Sequence, residues 1–514
     1  MNRIYVFVII MMFLLTSCGD FLKEYSTQLN YAMSSSDLEE LLIGSGYLSP
    51  RRSTEYYDFS VTGDNAPDFP WIHMMDDDIT DYSNVDDSFQ ENVDISGLLA
   101  AFYCWQKNPF SKRGEHYEDI NWKRLYERIG VTNVILGKID EFAEDPIEFK
   151  NRIKGEALFL RANFYFLLVN FYAKPYYKNS AVNDPGVPVK ITDEIVDKYY
   201  SRNSVAEVYE QIVSDLENSV KNLSGLPTES VFQANESAAR ILLSRVYLYM
   251  GEWEKALKQC DSVQGKYELL NLVDRDVSLN FTYDTSPETV FTQGSYTMNA
   301  LMQDGNMMKH CFQVSSDLYD LYDKNDLRKQ NFFSRIPNYL GEDILVVRKW
   351  KEPYQKPKIS DNCLIRYAEV NLNKAEALAM LERDAEAIQI IQKLREKRFV
   401  SGEEINTNLN GERIAVNSLS GERLVQFIRD ERRRELCFEG YRWFDLRRYA
   451  VSPKYSMEKE IKHGYILPGG QSTEYYLLKK YSEDGGWVLP IPQYVITFNN
   501  GMIKNNEREE RGTL

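Results

Sequence analysis

Six arginines and three carboxylates crowd the stretch from Arg432 to Arg448, within RRRELCFEGYRWFDLRRYA, in a chain whose formal charge is −16. Guanidinium groups in such a cluster either grip a polyanion from outside or fork carboxylates and stack on rings inside the fold. The spacing favours the second use. Asp430 and Arg434 stand four apart and Arg432 and Glu435 three apart, so each pair can meet on one helical face. Arginine can also lie on Trp443 or Tyr441 while forking Glu439 or Asp445. The net negative charge points the same way, because a nucleic-acid binder needs basic surface to displace counterions. The expectation is an internal ion-pair network and no nucleic-acid partner.

Other residues with chemical potential are less organised. Asp76–Asp81, DDDITD, lacks the loop glycine and the closing Glu of a calcium loop, so it reads as a solvated acidic loop. No metal or cofactor is expected. His73, His116, His310 and His463 lie far apart with no ligand spacing. GxSxG, HExxH and phosphate-loop glycine patterns are missing from the sequence. A glycosidase needs only two carboxylates, so composition leaves that reaction open. Nothing singles out a pair, and the reading is of a protein that is not an enzyme.

The N-terminus, MNRIYVFVIIMMFLLTSC, has one cation and then apolar residues from Ile4 to Leu15. That run is too short for a spanning helix, which takes about 20 residues, and reads as a signal peptide over residues 1–17. Leu15-Thr16-Ser17-Cys18 resembles the bacterial lipobox, in which the cysteine thiol receives a diacylglyceryl group. Cys18 is therefore the expected lipid attachment, and the acyl chains would hold the mature body at a membrane. Cys104, Cys260, Cys311, Cys363 and Cys437 remain, an odd and scattered set that makes no complete disulfide framework.

The elements that must position these residues are mostly helical. Periodicity predicts helices over Asn121–Ala143 and Glu148–Ala173, the second apolar nearly all round and so deeply buried. Leu242–Val263 reads as helix, turn, helix, with Gly251 at the turn; Leu243, Ser244, Tyr247, Gly251 and Ala256 match a tetratricopeptide hairpin. Arg366–Lys397 repeats the pattern at Ala375, Leu378 and Ala387 without a turn glycine. Gly440 is placed to end the helix of the arginine stretch. Asp58–Phe110 and Leu269–Ser360 are irregular but rich in aromatics, with one strand predicted at Ile344–Trp350. Such segments read as ordered loops, since disordered chain is poor in aromatics. The fold class is mainly α, tetratricopeptide-like hairpins forming a scaffold with long irregular loops and a few short strands.

ERRRELCFEGYRWFDLRR resembles the signature of the SusD/RagB family of outer-membrane lipoproteins. GEALFLRANFYFLLVNFYAKPY, LIRYAEVNLNKAEAL and LPIPQYVITFNNGMIKNN resemble other landmarks of that family, in order, from Cys18 to Asn506. Ala173 in place of a usual glycine, and an ending without Q-N-P-G-Y, depart from it. The resemblance implies one SusD-like domain over residues 18–514, with an N-terminal part to about 330 and a C-terminal part carrying the signature from about 331. It implies a structural role for Arg434, Glu435, Glu439, Arg442, Trp443 and Asp445. It further implies a lipid-anchored receptor on the outer face of the outer membrane. Such a receptor would bind oligosaccharides, or less often peptides, for a SusC-like TonB-dependent transporter. Sugar faces pack on flat rings, so Trp71, Asp81, Tyr82, Trp105 and Tyr296, all in the irregular segments, are the ligand candidates. A lipid-anchored scaffold binding protein or peptide, and a glycoside hydrolase, stand as alternatives.

Overall fold

The predicted helical stretches fold as antiparallel pairs. The computed structural model describes residues 32–49, 66–81, 95–112, 115–194, 196–297, 301–302, 312–337, 343–350, 359–409, 412–467 and 472–514. Cys18, the signal segment and Tyr82 lie outside the described residues. The first half carries α1 (Ser35–Leu41), α2 (Ile95–Tyr103), α3 (Ile120–Lys138), α4 (Ile147–Tyr172), α5 (Val205–Leu223), α6 (Glu236–Met250) and α7 (Trp253–Val263). Two short helices follow, α8 (Ser316–Tyr319) and α9 (Arg328–Phe332). The second half carries α10 (Tyr367–Met380), α11 (Asp384–Arg395), α12 (Gly421–Leu436), α13 (Arg442–Ala450) and α14 (Gln493–Phe498).

Local chemistry explains the boundaries. Ser204 and Glu207 form a reciprocal capping box that starts α5. Its stripe of Val205, Val208, Tyr209, Ile212, Leu216 and Leu223 is buried. Each such side chain contributes about 1.5–3 kcal/mol, so packing outweighs the cap, worth about 1 kcal/mol. On α4 every residue from Gly155 to Tyr172 is buried, as its nearly all-round apolarity predicts. Arg161, on that buried face, is paid for by Asp215 on α5, at 2.6 and 2.8 Å.

The α6–α7 hairpin turns at Gly251, at φ +72°, a left-handed conformation that glycine adopts without strain. The α10–α11 hairpin makes the corresponding turn without glycine; Glu382 takes φ +62° instead. Gly440 does something other than end α12, which stops at Leu436. It sits at φ +78°, and a Cβ there would meet the Asn362 carbonyl oxygen at 2.8 Å.

Among the described residues, six two-stranded antiparallel sheets decorate this frame. The predicted strand appears at Asp343–Val347, paired with Phe333–Pro337. Ile79–Asp81 pairs with Phe312–Val314, in the register Ile79↔Val314, and so joins the two irregular segments. One apolar cluster runs from Leu38 to Ile503 and draws on both halves of the chain. Among the described residues, no helix is long and apolar enough to cross a membrane.

Candidate functional site

The arginine stretch lies inside the protein. Arg429, Arg432, Arg433, Arg434, Arg442, Arg447 and Arg448 are all buried. Glu435 receives Arg366 at 2.7 Å, Arg398 at 2.9 Å and Arg328 at 3.0 Å. Glu431 receives Arg328, Arg395 and Arg434. Glu439 is forked by Arg366 and met by Lys349. Asp445 takes Arg432 at 2.8 Å and Arg448 at 2.7 Å. Burial alone would push the Glu431, Glu435 and Asp445 carboxyls up. At Glu431 and Glu435 the guanidiniums of Arg328, Arg395, Arg434, Arg398 and Arg366 outweigh it and hold them below the ordinary carboxylate range.

The network is the one the sequence implies, but several partners differ. Arg434 pairs with Glu431, not Asp430, and Asp430 accepts from Gln426 instead. Arg432 reaches Asp445 and Asn373, not Glu435. Arg245 lies over Tyr441, 4.5 Å from its centroid. Trp443 stacks on Trp487 at 4.9 Å and 14° rather than on a guanidinium. Among the described residues Arg447 meets no carboxylate; it donates to the carbonyls of Asn170 and Ala173 and caps α4.

The acidic loop is not solvated. Asp76, Asp77 and Asp78 are buried, with carboxylate oxygens within 4.8 Å of one another. Arg442 forks Asp77 at 2.7 and 2.9 Å, Lys459 also reaches it, and Arg433 holds Asp78 at 2.7 Å. The protein's own cations supply the charge that a metal ion would bring.

Three ligand candidates prove to be internal. Trp71 is 1% exposed, stacked on Phe102 at 5.1 Å and edge-on to Phe171. Trp105 is also 1% exposed; its Nε1–H donates to the Met75 carbonyl, and its ring stacks on His463 at 4.3 Å. Asp81 is buried and accepts the Ile466 N–H at 2.7 Å. A ring enclosed on both faces cannot stack on a sugar, so this corrects the expectation for Trp71 and Trp105. Within the described residues of these irregular segments, Trp71 and Trp105 are folded into the core rather than presented. Tyr296 is half-buried beside Trp350, at 5.9 Å.

An open aromatic surface lies elsewhere, where three distant segments meet. A cleft of about 690 Å³ is walled by Trp122 and Tyr126 of α3, by Pro188, Lys190 and Tyr200, and by Tyr494, Val495 and Phe498 of α14, with Ile503 behind them. Asp119 caps α3 and thereby orients Trp122 and Tyr126 toward this edge. Its carboxyl accepts from Asn121 N–H and from the Tyr172 hydroxyl, and its carbonyl accepts from the Tyr494 hydroxyl at 3.1 Å. Burial raises the Asp119 carboxyl to about 6 against the pull of those donors. Tyr200 N–H donates to Asn499 Oδ1 at 2.7 Å, and Arg202 bonds the Lys504 carbonyl and Asn506. These bonds seat the 188–202 loop against the C-terminal segment. After α14, Asn500 and Gly501 both take positive φ, reversing the chain so that Ile503 is buried. Phe498 remains 71% exposed. Sequence reasoning saw Trp122 only as helix core and the Leu489–Asn506 segment only as a landmark; nothing local marks their convergence.

Comparison with known proteins bears on both halves. Residues 53–248 match a family described as starch-binding, associating with the outer membrane, and residues 345–507 match the SusD family. A SusD-like protein from Formosa agariphila is 26% identical, covering 64% of this chain and 72% of the relative. A second from that organism is 23% identical, covering 75% and 78%. A solved SusD superfamily protein from Bacteroides thetaiotaomicron superposes with a TM-score of 0.69 at 22% identity, over 92% of this chain and 100% of that one. A solved SusD-like carbohydrate binding protein from Bacteroides vulgatus gives 0.65 at 22% identity, over 91% and 97%. The helix-rich architecture with few short strands is that of the superfamily.

Proposed function

This chain belongs to the SusD family, and from that premise we propose that it captures oligosaccharides at the outer membrane and passes them to a SusC-like TonB-dependent transporter. It alters no covalent bond in its cargo. The observation that carries the reading is the pair of family matches, one in each half of the chain and in order, one of them described as starch-binding and outer-membrane-associated. The carbohydrate-binding description of the Bacteroides vulgatus relative supports it at the level of fold. Lipid on Cys18 would tether the body to a membrane.

Calorimetric titration of the purified full-length protein against a panel of neutral oligosaccharides, with chromatography of each mixture afterwards, tests this. The expected result is saturable binding of one glycan class with the oligosaccharide recovered intact. Shortened products, or no affinity across the panel, would overturn the reading. In the same preparation Cys18→Ala should shift the protein from the membrane to the soluble fraction.

A further inference from the structure

The polar groups along the cleft decide what it can hold. The Tyr126 hydroxyl donates to the Pro188 carbonyl at 2.7 Å, and that of Tyr494 to the Asp119 carbonyl. Asn499 spends its oxygen on Tyr200 N–H and its amide on the Val495 carbonyl. Trp122 is 4% exposed, wedged between Tyr126 at 5.2 Å and Tyr172 at 4.9 Å. Charge is confined to Lys123, Glu127 and Lys190, the first two already 3.7 Å apart and mostly solvated. The walls therefore offer rings, Val495, Ile503 and Pro188, but few donors or acceptors.

An unsubstituted sugar would exchange water at each inward hydroxyl for a wall that cannot replace it, which is unfavourable. A flat apolar group loses nothing there and removes Phe498 and Tyr200 from water. The volume lies within the range of about 300–1,000 Å³ typical of small-molecule sites. We propose that the cleft receives an apolar, ring-bearing group. On the glycan-capture reading, on which this rests, that group is an aryl ester substituent carried by the oligosaccharide, with the sugar itself held outside at the lysine-lined rim. The cleft would then select decorated glycans over bare ones.

Three probes against the full-length protein in lipid nanodiscs, where no detergent competes, test the idea. They are a xylo-oligosaccharide bearing one feruloyl ester, the same oligosaccharide after alkaline removal of the ester, and methyl ferulate. The expected result is that the ester binds at least about tenfold tighter than the stripped form, the gain expected from burying one ring. Methyl ferulate should displace it. Phe498→Ala and Tyr200→Ala should each bring the ester's affinity down to that of the stripped form and leave the latter unchanged. Equal affinities, both weakened by Phe498→Ala, would make the cleft an ordinary sugar platform and overturn the inference while leaving the glycan reading intact. Methyl ferulate binding that Phe498→Ala abolishes, with no affinity for any glycan, would support the ring site and overturn the glycan reading instead. Concentration-dependent dimerisation abolished by Phe498→Ala would overturn the inference, by naming a second copy as the occupant.

Discussion

Two regions of this molecule are built from the same residue types and behave oppositely. Around α12 and α13, arginines, carboxylates and aromatics satisfy one another in the interior, and Trp443 and Arg432 are each 1% exposed. Around α3 and α14, rings and charges also cluster, yet the Tyr126 and Tyr494 hydroxyls donate to backbone carbonyls and Phe498 stands in water. The lesson is that residue type does not distinguish scaffold from site. What distinguishes them is whether partners come from within the chain. A guanidinium that finds two carboxylates is finished, whereas a ring face that finds none is available.

The sharpest way to break the contrast is to remove one charge from the interior. Glu435→Ala removes the one carboxylate that Arg328, Arg366 and Arg398 all hold, leaving Arg328 to Asp326 and Glu431, Arg366 to Glu288 and Glu439, and Arg398 to Glu288. Three buried guanidiniums then crowd together with one negative charge fewer among them, and removing a partner from a buried ion-pair network costs about 3–5 kcal/mol, enough to lower the chemical denaturation midpoint sharply or abolish folding. A midpoint within error of wild type would mean the network contributes nothing.

Acid should produce a smaller and graded loss. Glu431, Glu435, Asp445 and Glu369 are buried yet held below the ordinary carboxylate range by their arginines. A group with a lowered folded pKa gives its full stability above its unfolded value, about 4 for carboxylates, and loses it as pH falls through the folded value. Asp119, raised to about 6 by burial, has the opposite sign, so its share of stability grows as pH drops from 7 toward 5. Thermal unfolding scans should show a melting temperature nearly level or slightly rising from pH 7 to 5, then falling steeply below about pH 4. A level profile down to pH 2 would contradict the charge assignment.

The smallest effect belongs to the cleft. Phe498 buries little of itself, so Phe498→Ala should shift stability by no more than about 0.5 kcal/mol, as surface changes do. The same denaturation assay run beside the binding assay checks this. A loss several times larger would place Phe498 with the scaffold and remove the contrast.

Much of the scaffold was legible in advance because its signals are local. The apolar run of α4, the hairpin spacing around Gly251 and the apolar stretch at Asp343–Val347 each report on a few neighbouring residues, and the structure places elements there. The arginine stretch was legible as an internal network for the same reason: aromatics and acids stand beside it in sequence. Individual pairs were not. Arg366, Arg398 and Arg328 arrive from segments tens of residues away and take Glu435, the partner that spacing gives Arg432, while Arg434 turns to Glu431 rather than Asp430. Two of the ligand candidates went inside by a related route. Trp71 and Trp105 sit in irregular sequence, but irregular backbone folded inward still builds core, and burying a tryptophan is favourable wherever it lies.

By itself the sequence determined the helical frame, the buried fate of the arginine cluster and the kinship of the chain, since each depends on residue type at short spacing. The tertiary structure alone decided which carboxylate each arginine holds, that DDDITD is internal, and that Trp122, Tyr200 and Phe498 share one cleft. Those outcomes depend on which distant segments meet. Contacts between residues hundreds of positions apart leave no periodicity to read, because their distance is set by packing and not by the chain between them.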